Sequence, residues 1–274
     1  MNTYQEKCKK LNEIMAEYAR ADVAVAFSGG ADSSLLLKLA AEQAKEHGTK
    51  VTAITANTEL HPSGDLEVAR KVAQETGANH FILEVKELEQ ADIRHNPVNR
   101  CYRCKTFLFR SVIDMAERYH AKVVMDGTNC DDLLMYRPGL KAVEELGVKS
   151  PLREAGFTKA DVRALAAEYG ISVADRPSAP CLATRFPYGD LLTMERMRTV
   201  DQGENYLKTI GLYNVRIRVH GEIARIEVDA EYMEKIIRHK SDITEYLKNL
   251  GYKYVTLDLE GFRSGSMDVG LEKE

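Results

Sequence analysis

No stretch of the 274 residues approaches the roughly twenty consecutive apolar side chains that a membrane-spanning helix needs, so no such span is expected. The first residues, MNTYQEKCKKLNEIM, carry charge where a secretion signal requires an apolar run, and a cytoplasmic location is expected. Proline and glycine are scarce, at 7 and 18, and apolar residues are spread along the whole sequence, which excludes collagen, disorder and coiled coil. Neither an internal repeat nor a low-complexity segment occurs. An excess of basic charge is also missing: 38 Lys and Arg against 42 Asp and Glu give a net charge of −4, which argues against an extended nucleic-acid surface. Only five cysteines are present, an odd number that does not suit a disulfide framework in a reducing compartment.

What remains is a globular composition, 44% hydrophobic and 29% charged, long enough at roughly 150 residues per domain for one large or two modest domains. Tyr4, Leu11, Ile14, Met15 and Tyr18 have helical spacing and predict a leading helix. ADVAVAF then reads as a buried strand, SGG as a tight turn, and SSLLLKLAAEQAKEH as a helix ending at Gly48. The pattern repeats through VTAITAN, LEVARKVAQETG, FILEV, FLFRSVIDMAERYH and KVVMDG. Four such runs separated by helices predict an α/β fold with a parallel sheet covered on both faces. Residues 127–152 read as a loop plus a short helix, and TKADVRALAAEYG as a helix with a Thr cap. After PCLATRFPYGD the order becomes α-β-β-α-β, with a helix over 191–210, strands VRIRVH and ARIEVD, a helix over 230–250 and strand KYVTLDL. This predicts a smaller antiparallel α+β domain, with a division into residues 1–185 and 186–274.

The densest chemistry lies at the first strand end. Ser28-Gly29-Gly30-Ala31-Asp32-Ser33 joins a buried strand to a helix, where backbone N–H groups and the helix dipole bind phosphate and glycines allow close approach. Asp32 beside phosphates calls for a cation such as Mg²⁺ between them. Without a Gly-Lys-Ser/Thr ending this is not a Walker A loop. The plainer alternative is an ordinary Gly- and Ser-rich βα turn.

SGGxDS in this place resembles the PP-loop ATPases, which cleave ATP to AMP and pyrophosphate while adenylating a substrate oxygen. The resemblance implies that Ser28, Gly29, Gly30, Asp32 and Ser33 meet the pyrophosphate and its metal, that Thr55 lies at the adenine, and that Gly127, Thr128 and Asn129, with Asp131 and Asp132 beyond, line the nucleotide. By itself GTNCDD could also be an Asx turn that only caps a helix.

Cys101 and Cys104 form a CxxC that reads as lying just before a helix, and Cys181 follows far downstream. Three thiolates suit a 4Fe–4S cluster with one open iron, a CxxC also suits a redox dithiol, and zinc would be one ligand short. Cys8 and Cys130 read as small buried residues.

SGGADS, DGTNCDD with YRPG, PCLATRFPYG, VRIRVHGEIARIEV and LDLEGFRSGS together resemble the LarE family, over nearly the whole chain. These enzymes are ATP-dependent sulfur transferases that build the nickel-pincer nucleotide of lactate racemase. The resemblance implies a small nucleotide substrate, pyridinium-3,5-biscarboxylic acid mononucleotide, whose carboxylates become thiocarboxylates. It further implies a homo-oligomer, a hexamer of dimerised trimers, together with a sulfide donor and a downstream nickel-insertion protein as partners. The best-known form sacrifices the sulfur of one cysteine at the position of Cys181. The added Cys101 and Cys104 resemble instead the three-cysteine branch, in which a 4Fe–4S cluster delivers sulfide repeatedly.

Arg216 and Arg218 alternate on one strand and so share a face, with Arg225 on the next strand and His220 and Glu227 in the same hairpin. Left alone, alternating Arg reads as the solvated face of a half-buried sheet. By resemblance Arg216 and Arg218 hold the substrate phosphate, and Glu204 and Glu227 lie near the transfer site, at a metal or beside it. Arg185 and Arg263 are weaker anion candidates. The rival functions are tRNA 2-thiolation, against which the charge balance speaks, an ammonia-using PP-loop ligase, which has no role for three cysteines, and a nucleotide-sensing domain without catalysis.

Overall fold

The computed structural model describes residues 3–134, 138–176, 180–263 and 265–269. Tyr136 and Arg137 of the YRPG segment, and Ser264 near the end, lie outside the described residues. The chain divides into two compact units. One comprises Met1–Glu59, Ser63–Asp92 and Asn99–Ser178, the other Leu60–Pro62, Ile93–Val98 and Ala179–Glu274.

The first unit is built on a four-stranded sheet of β1 (Val23–Ala26), β2 (Val51–Asn57), β3 (Asn79–Glu84) and β4 (Val123–Met125), all parallel, in the order β3-β2-β1-β4. Helices α1 (Tyr4–Tyr18), α2 (Ala31–His47), α3 (Asp65–Thr76), α4 (Glu87–Gln90), α5 (Arg100–Arg118), α6 (Pro138–Glu145), α7 (Pro151–Glu154) and α8 (Lys159–Glu168) connect and cover it. Because side chains alternate along a strand, Val23 and Val25 enter a core with Leu11, Leu35, Leu36, Val72 and Val162, while Ala24 meets Val112 and Ala116 of α5 on the opposite face. Both faces are therefore covered by helices, and the central strand reads as an uninterrupted apolar run. The Thr caps of α1 and α8 close as capping boxes. Thr158 Oγ1 accepts from Asp161 N at 3.3 Å while Asp161 Oδ2 accepts from Thr158 N at 2.9 Å, so the start of α8 is fixed.

Two readings of local structure need correction. Cys101 and Cys104 do not precede a helix but lie at the opening of α5, Cys101 in its first turn and Cys104 at the start of its second, with Asn99 as the N-cap. The apolar periodicity begins only at Phe107, so the polar opening turn carried no signal. Residues 127–152 form a 3-10 turn over Cys130–Leu134 and two short helices rather than one.

The second unit holds α9 (Met194–Thr209), β5 (Val215–His220), β6 (Ile223–Val228), α10 (Met233–Arg238), α11 (Lys240–Asn249) and β7 (Tyr254–Leu257). Its sheet runs β5-β6-β7, antiparallel at the hairpin but parallel between β6 and β7. The sheet is thus mixed, not antiparallel: a crossover through α10 and α11 returns the chain in the same direction, as parallel pairing requires. The helix expected over 230–250 breaks at His239, just before Ser241 and Asp242, residues that favour helix starts over helix interiors. Ile217, Val219, Ala224 and Ile226 of the hairpin and Val200, Leu207 and Leu247 of the helices are its buried apolar residues. Among the described residues no helix is long and apolar enough to cross a membrane.

Candidate active site

The turn after β1 is tied to itself by its own serines. Ser28 N donates to Ser33 Oγ at 3.2 Å, the two hydroxyls lie 3.1 Å apart, and Ser33 Oγ donates to Gly30 O at 3.3 Å. Gly29 has φ +72°, and a Cβ there would stand 2.8 Å from the Ala69 Cα. Gly127, from the loop after β4, presses as closely: a Cβ would meet Ser33 N at 2.9 Å and Asp32 Cβ at 3.0 Å. Two backbone segments therefore meet around the start of α2 with no room for side chains, leaving a cradle of main-chain groups suited to phosphate.

The second loop is held from below. Asp126, buried, accepts from Ser150 Oγ at 2.7 Å and from Thr128 Oγ1 at 2.5 Å. Asn129 Oδ1 accepts from Asp131 N at 3.0 Å, an Asx turn, yet Asn129 Nδ2 also donates to Asp32 Oδ1 at 3.1 Å. The GTN segment is both a turn and a neighbour of the phosphate loop. Asp32 Oδ2 takes the Lys159 ammonium in an ion pair. At the end of β2, Thr55 Oγ1 donates to Phe27 O at 2.7 Å and lies 2.8 Å from His80 Nε2, so the ring nitrogen donates to the hydroxyl. Burial and the charge of Arg70 push the His80 pKa down, which favours that neutral imidazole.

Cys101 is exposed and Cys104 half-buried, one turn apart on α5. Arg100 Nη2 lies 3.8 Å from Cys101 Sγ, and the first turn contains no acidic residue. Cys8 is a thiol pushed up by burial, and Cys130 Sγ donates to Arg153 O at 3.7 Å. Among the described residues no three His, Cys, Asp or Glu side chains form a group that could hold a metal ion.

In the second unit Cys181 opens a 3-10 turn, Leu182–Arg185, beside a buried ionic network. Arg185 is 1% exposed and pairs bidentately with Glu204, at 2.8 and 2.9 Å, while its Nη1 donates to Pro180 O and Cys181 O at 3.1 and 3.3 Å. Arg218 Nε donates to Glu227 Oε2 at 2.9 Å and Arg218 Nη1 to Thr184 O at 2.8 Å. Arg225, opposite Arg218 in the hairpin, binds Glu227 and Asp258. Arg216 is buried over the Phe262 ring, 5.3 Å from its centroid. Burial first, and then the nearby charges of Arg185 and Arg218, lower its pKa to about 10 against the opposing pull of Glu204 and Glu227. The strand arginines are therefore not a solvated face: Arg185 pairs with Glu204, Arg218 and Arg225 with Glu227, Arg225 and Arg263 with Asp258, and Arg216 lies buried beside Phe262.

Residues 9–169 match the asparagine synthase family. A protein of Lactiplantibacillus plantarum, pyridinium-3,5-bisthiocarboxylic acid mononucleotide synthase, is 39% identical, over 92% of this chain and 90% of its own. The chain belongs to the LarE family of PP-loop, ATP-dependent sulfurtransferases. An uncharacterised protein of Synechocystis sp. is 36% identical over 98% of this chain and 99% of its own. The tRNA-specific 2-thiouridylase of Paracoccus denitrificans is more distant, at 26% over 68% of this chain and 57% of its own.

Within this LarE-family chain, Ser28, Gly29, Gly30, Asp32, Ser33, Gly127, Thr128 and Asn129 come together in the first unit, and Thr55 stands at the end of the strand next to β1. Arg216, Arg218, Glu204 and Glu227 come together in the second unit with Cys181, and Cys101 and Cys104 belong to the first. Two features escaped the sequence reading. Lys159 reaches Asp32 across 127 positions, and its only local mark is a basic residue straight after a Thr cap. Arg185, read as an anion ligand, has its guanidinium taken up by Glu204 and by carbonyls of its own turn; nothing in PCLATRF names so distant a partner.

Proposed function

We propose that this sulfurtransferase adenylates the carboxylates of pyridinium-3,5-biscarboxylic acid mononucleotide and converts them to thiocarboxylates. The observation that carries the reading is the built connection in the second unit. The turn bearing Cys181 is bonded through its carbonyls to Arg185 and Arg218, and these belong to a buried network of arginines and carboxylates that also takes in Arg216. Guanidinium groups gathered on neighbouring strands suit an anionic ligand such as a nucleotide phosphate. The same network then sets that ligand beside a thiol-bearing turn.

In this reading residues 1–185 bind ATP and residues 186–274 bind substrate and assemble the oligomer. Ser28, Gly29, Gly30 and Ser33 cradle the β- and γ-phosphates, Asp32 faces their Mg²⁺, and Thr55, Gly127, Thr128 and Asn129 line the nucleoside side. A substrate carboxylate oxygen attacks the α-phosphorus, the α–β anhydride bond breaks, and pyrophosphate leaves. A sulfur nucleophile then attacks the acyl carbon and AMP departs with the carboxylate oxygen. Cys101, Cys104 and Cys181 fit a 4Fe–4S cluster by donor type, three thiols with two on one turn of a basic helix start and no acidic neighbour in that turn. Such a cluster would supply nucleophilic sulfide when bound. Cys101 lies beside the Arg100 guanidinium, and Cys181 is kept in position by Arg185. Glu204 has both oxygens engaged by Arg185 and serves as the brace of that turn.

The test is incubation of the anaerobically reconstituted protein with ATP, sulfide and the biscarboxylate nucleotide. Thiocarboxylate, AMP and pyrophosphate in step are expected; release of ADP, or thiolation of tRNA in place of the nucleotide, would overturn the reading.

A further inference from the structure

We infer that Asp126 is a positioning residue of the ATP site, which sets Gly127 against the phosphate turn by gripping Thr128 and so leaves the Thr128 hydroxyl no part in binding nucleotide. That role rests on the assignment of the Ser28–Ser33 turn to pyrophosphate.

Asp126 is 6% exposed and accepts three hydrogen bonds, all from neutral donors. Oδ1 takes Ser150 Oγ at 2.7 Å and Thr128 N at 3.3 Å, and Oδ2 takes Thr128 Oγ1 at 2.5 Å. Thr128 O accepts in turn from Arg153 N at 3.1 Å. The N–H, the O–H and the carbonyl of Thr128 are thus all bonded inside the protein, and its side chain has no hydrogen left to donate to a ligand. Gly127 lies between the two joined residues, and it is the glycine whose added Cβ would meet Ser33 N at 2.9 Å. The grip on Thr128 therefore fixes the main chain that closes the cradle.

Asp126 is itself held from the sheet. Its backbone N donates to Lys149 O at 2.9 Å and Lys149 N donates to Val124 O at 2.9 Å, so residue 149 pairs in parallel beside β4. That pairing brings Ser150, 1% exposed, against the Asp126 carboxylate. Ser150 N donates to Glu154 Oε1 at 3.1 Å, and Glu154 Oε2 accepts from Tyr18 OH at 2.8 Å. A chain of bonds thus runs from α1 through α7 to Gly127. A carboxylate suits the centre of it, because two oxygens without hydrogens accept from three donors at once, whereas an amide would turn an N–H toward the Thr128 hydroxyl. Removing one donor leaves a buried anionic oxygen short of a partner, which the loop relieves by shifting. Displacements of about an ångström remote from the reacting atoms cost up to roughly hundredfold in rate.

The experiment measures pyrophosphate release by the full chain and its Thr128→Val, Thr128→Ser and Ser150→Ala variants, varying ATP and the biscarboxylate nucleotide in turn, with thermal unfolding as the check on folding. Thr128→Val keeps the shape and removes the donor; it should lower kcat/KM for ATP roughly ten- to hundredfold and leave the KM of the substrate nucleotide within about twofold of the parent. Thr128→Ser should recover most of that loss. Ser150→Ala, at a residue too buried to meet a ligand, should lower the same ATP constant by about threefold or more. Parental activity in Ser150→Ala beside a loss in Thr128→Val would mean that the hydroxyl meets ATP itself. A lower melting temperature with unchanged constants would mean that Asp126 only stabilises the fold, and equal losses for ATP and substrate would mean a general disturbance; each of the three overturns the inference. Should Thr128→Val fail to fold, the constants of Ser150→Ala decide alone. If instead the unaltered chain releases ADP, or no pyrophosphate, from ATP, the assignment of the Ser28–Ser33 turn fails, and the role of Asp126 with it.

Discussion

Arg185 closes on Glu204 with two parallel bonds, Nε to Oε1 at 2.8 Å and Nη2 to Oε2 at 2.9 Å, with both side chains 2% exposed. Glu204 Oε1 also accepts from Ile217 N at 3.0 Å, so one carboxylate joins the turn that carries Cys181 to the strand that carries Arg216 and Arg218. Burial by itself would raise the Glu204 pKa; the bonds and charge of Arg185, the charge of Arg216 and the Ile217 N–H outweigh it and hold the group below the ordinary carboxylate range.

Glu204→Gln should therefore lower stability by about 3 kcal/mol at pH 7, because a buried guanidinium loses its counter-charge. The sign of the pH dependence follows from the depressed value. The unfolded chain binds this proton near its normal pKa of about 4.3, the folded chain only below it, so the stabilisation is present above that pH and is lost as pH falls through the folded value. The gap between variant and parent should narrow on going from neutral pH to below about pH 4. Denaturant midpoints at several pH values measure it, and a gap independent of pH would remove Glu204 from the role of titrating brace.

The architecture was legible because it rests on local patterns. The apolar run VAVAF between Asp22 and Ser28, SGG at a strand end and the Thr-x-x-Asp cap of α8 each specify their element without help from elsewhere. Gly48 closing α2 in the left-handed region is equally local. The failures share one cause, which is that their determinants are remote. The direction of β7 is set by where the crossover sets the chain down, not by KYVTLDL itself. The polar first turn of α5 has no apolar stripe, so nothing in its own residues marks the helix start. The burial of Arg216 and Arg218 depends on Glu227, which Arg218 meets across the hairpin, and on Phe262, under Arg216. Lys159 could not be found from its neighbours at all.

Gly29→Ala should abolish ATP binding and cost roughly 1–3 kcal/mol, since a side chain at φ +72° is strained and its Cβ would strike the backbone of α3. Gly77→Ala provides the contrast. Gly77 shares the left-handed backbone, φ +70°, but has nothing within 4 Å of a built Cβ, so that variant should lose stability and still bind ATP. Equal ATP affinity in both variants would show that close approach at Gly29 is not what the site needs.

Arg216→Ala should weaken binding of the substrate nucleotide roughly ten- to hundredfold while ATP binding stays within about twofold of the parent. Arg218→Ala should show the same split with a lower melting temperature, because Glu227, fully buried, keeps Arg225 but loses Arg218. Titration of both ligands into each variant separates the cases. A loss shared equally by ATP and substrate would move these arginines out of the substrate site.

Replacing Cys101, Cys104 or Cys181 by Ala should abolish thiocarboxylate formation and the broad visible absorption of the anaerobically reconstituted protein, yet spare pyrophosphate release. The thiols are distinct in their settings, two at the opening of α5 and one on a turn braced by Arg185. Loss of any one removes a ligand from a set of three that has no spare, so the three variants should fail alike. Cys8 and Cys130 serve as controls, because burial pushes the first thiol up and the second donates to a carbonyl of its own unit; their Ala variants should keep both absorption and turnover. Mass spectrometry of the protein after several turnovers separates repeated delivery from self-sacrifice. Repeated delivery leaves the chain mass unchanged while product exceeds one equivalent, whereas loss of hydrogen sulfide from Cys181, about 34 mass units for conversion to dehydroalanine, would mean that the cysteine itself is the sulfur source.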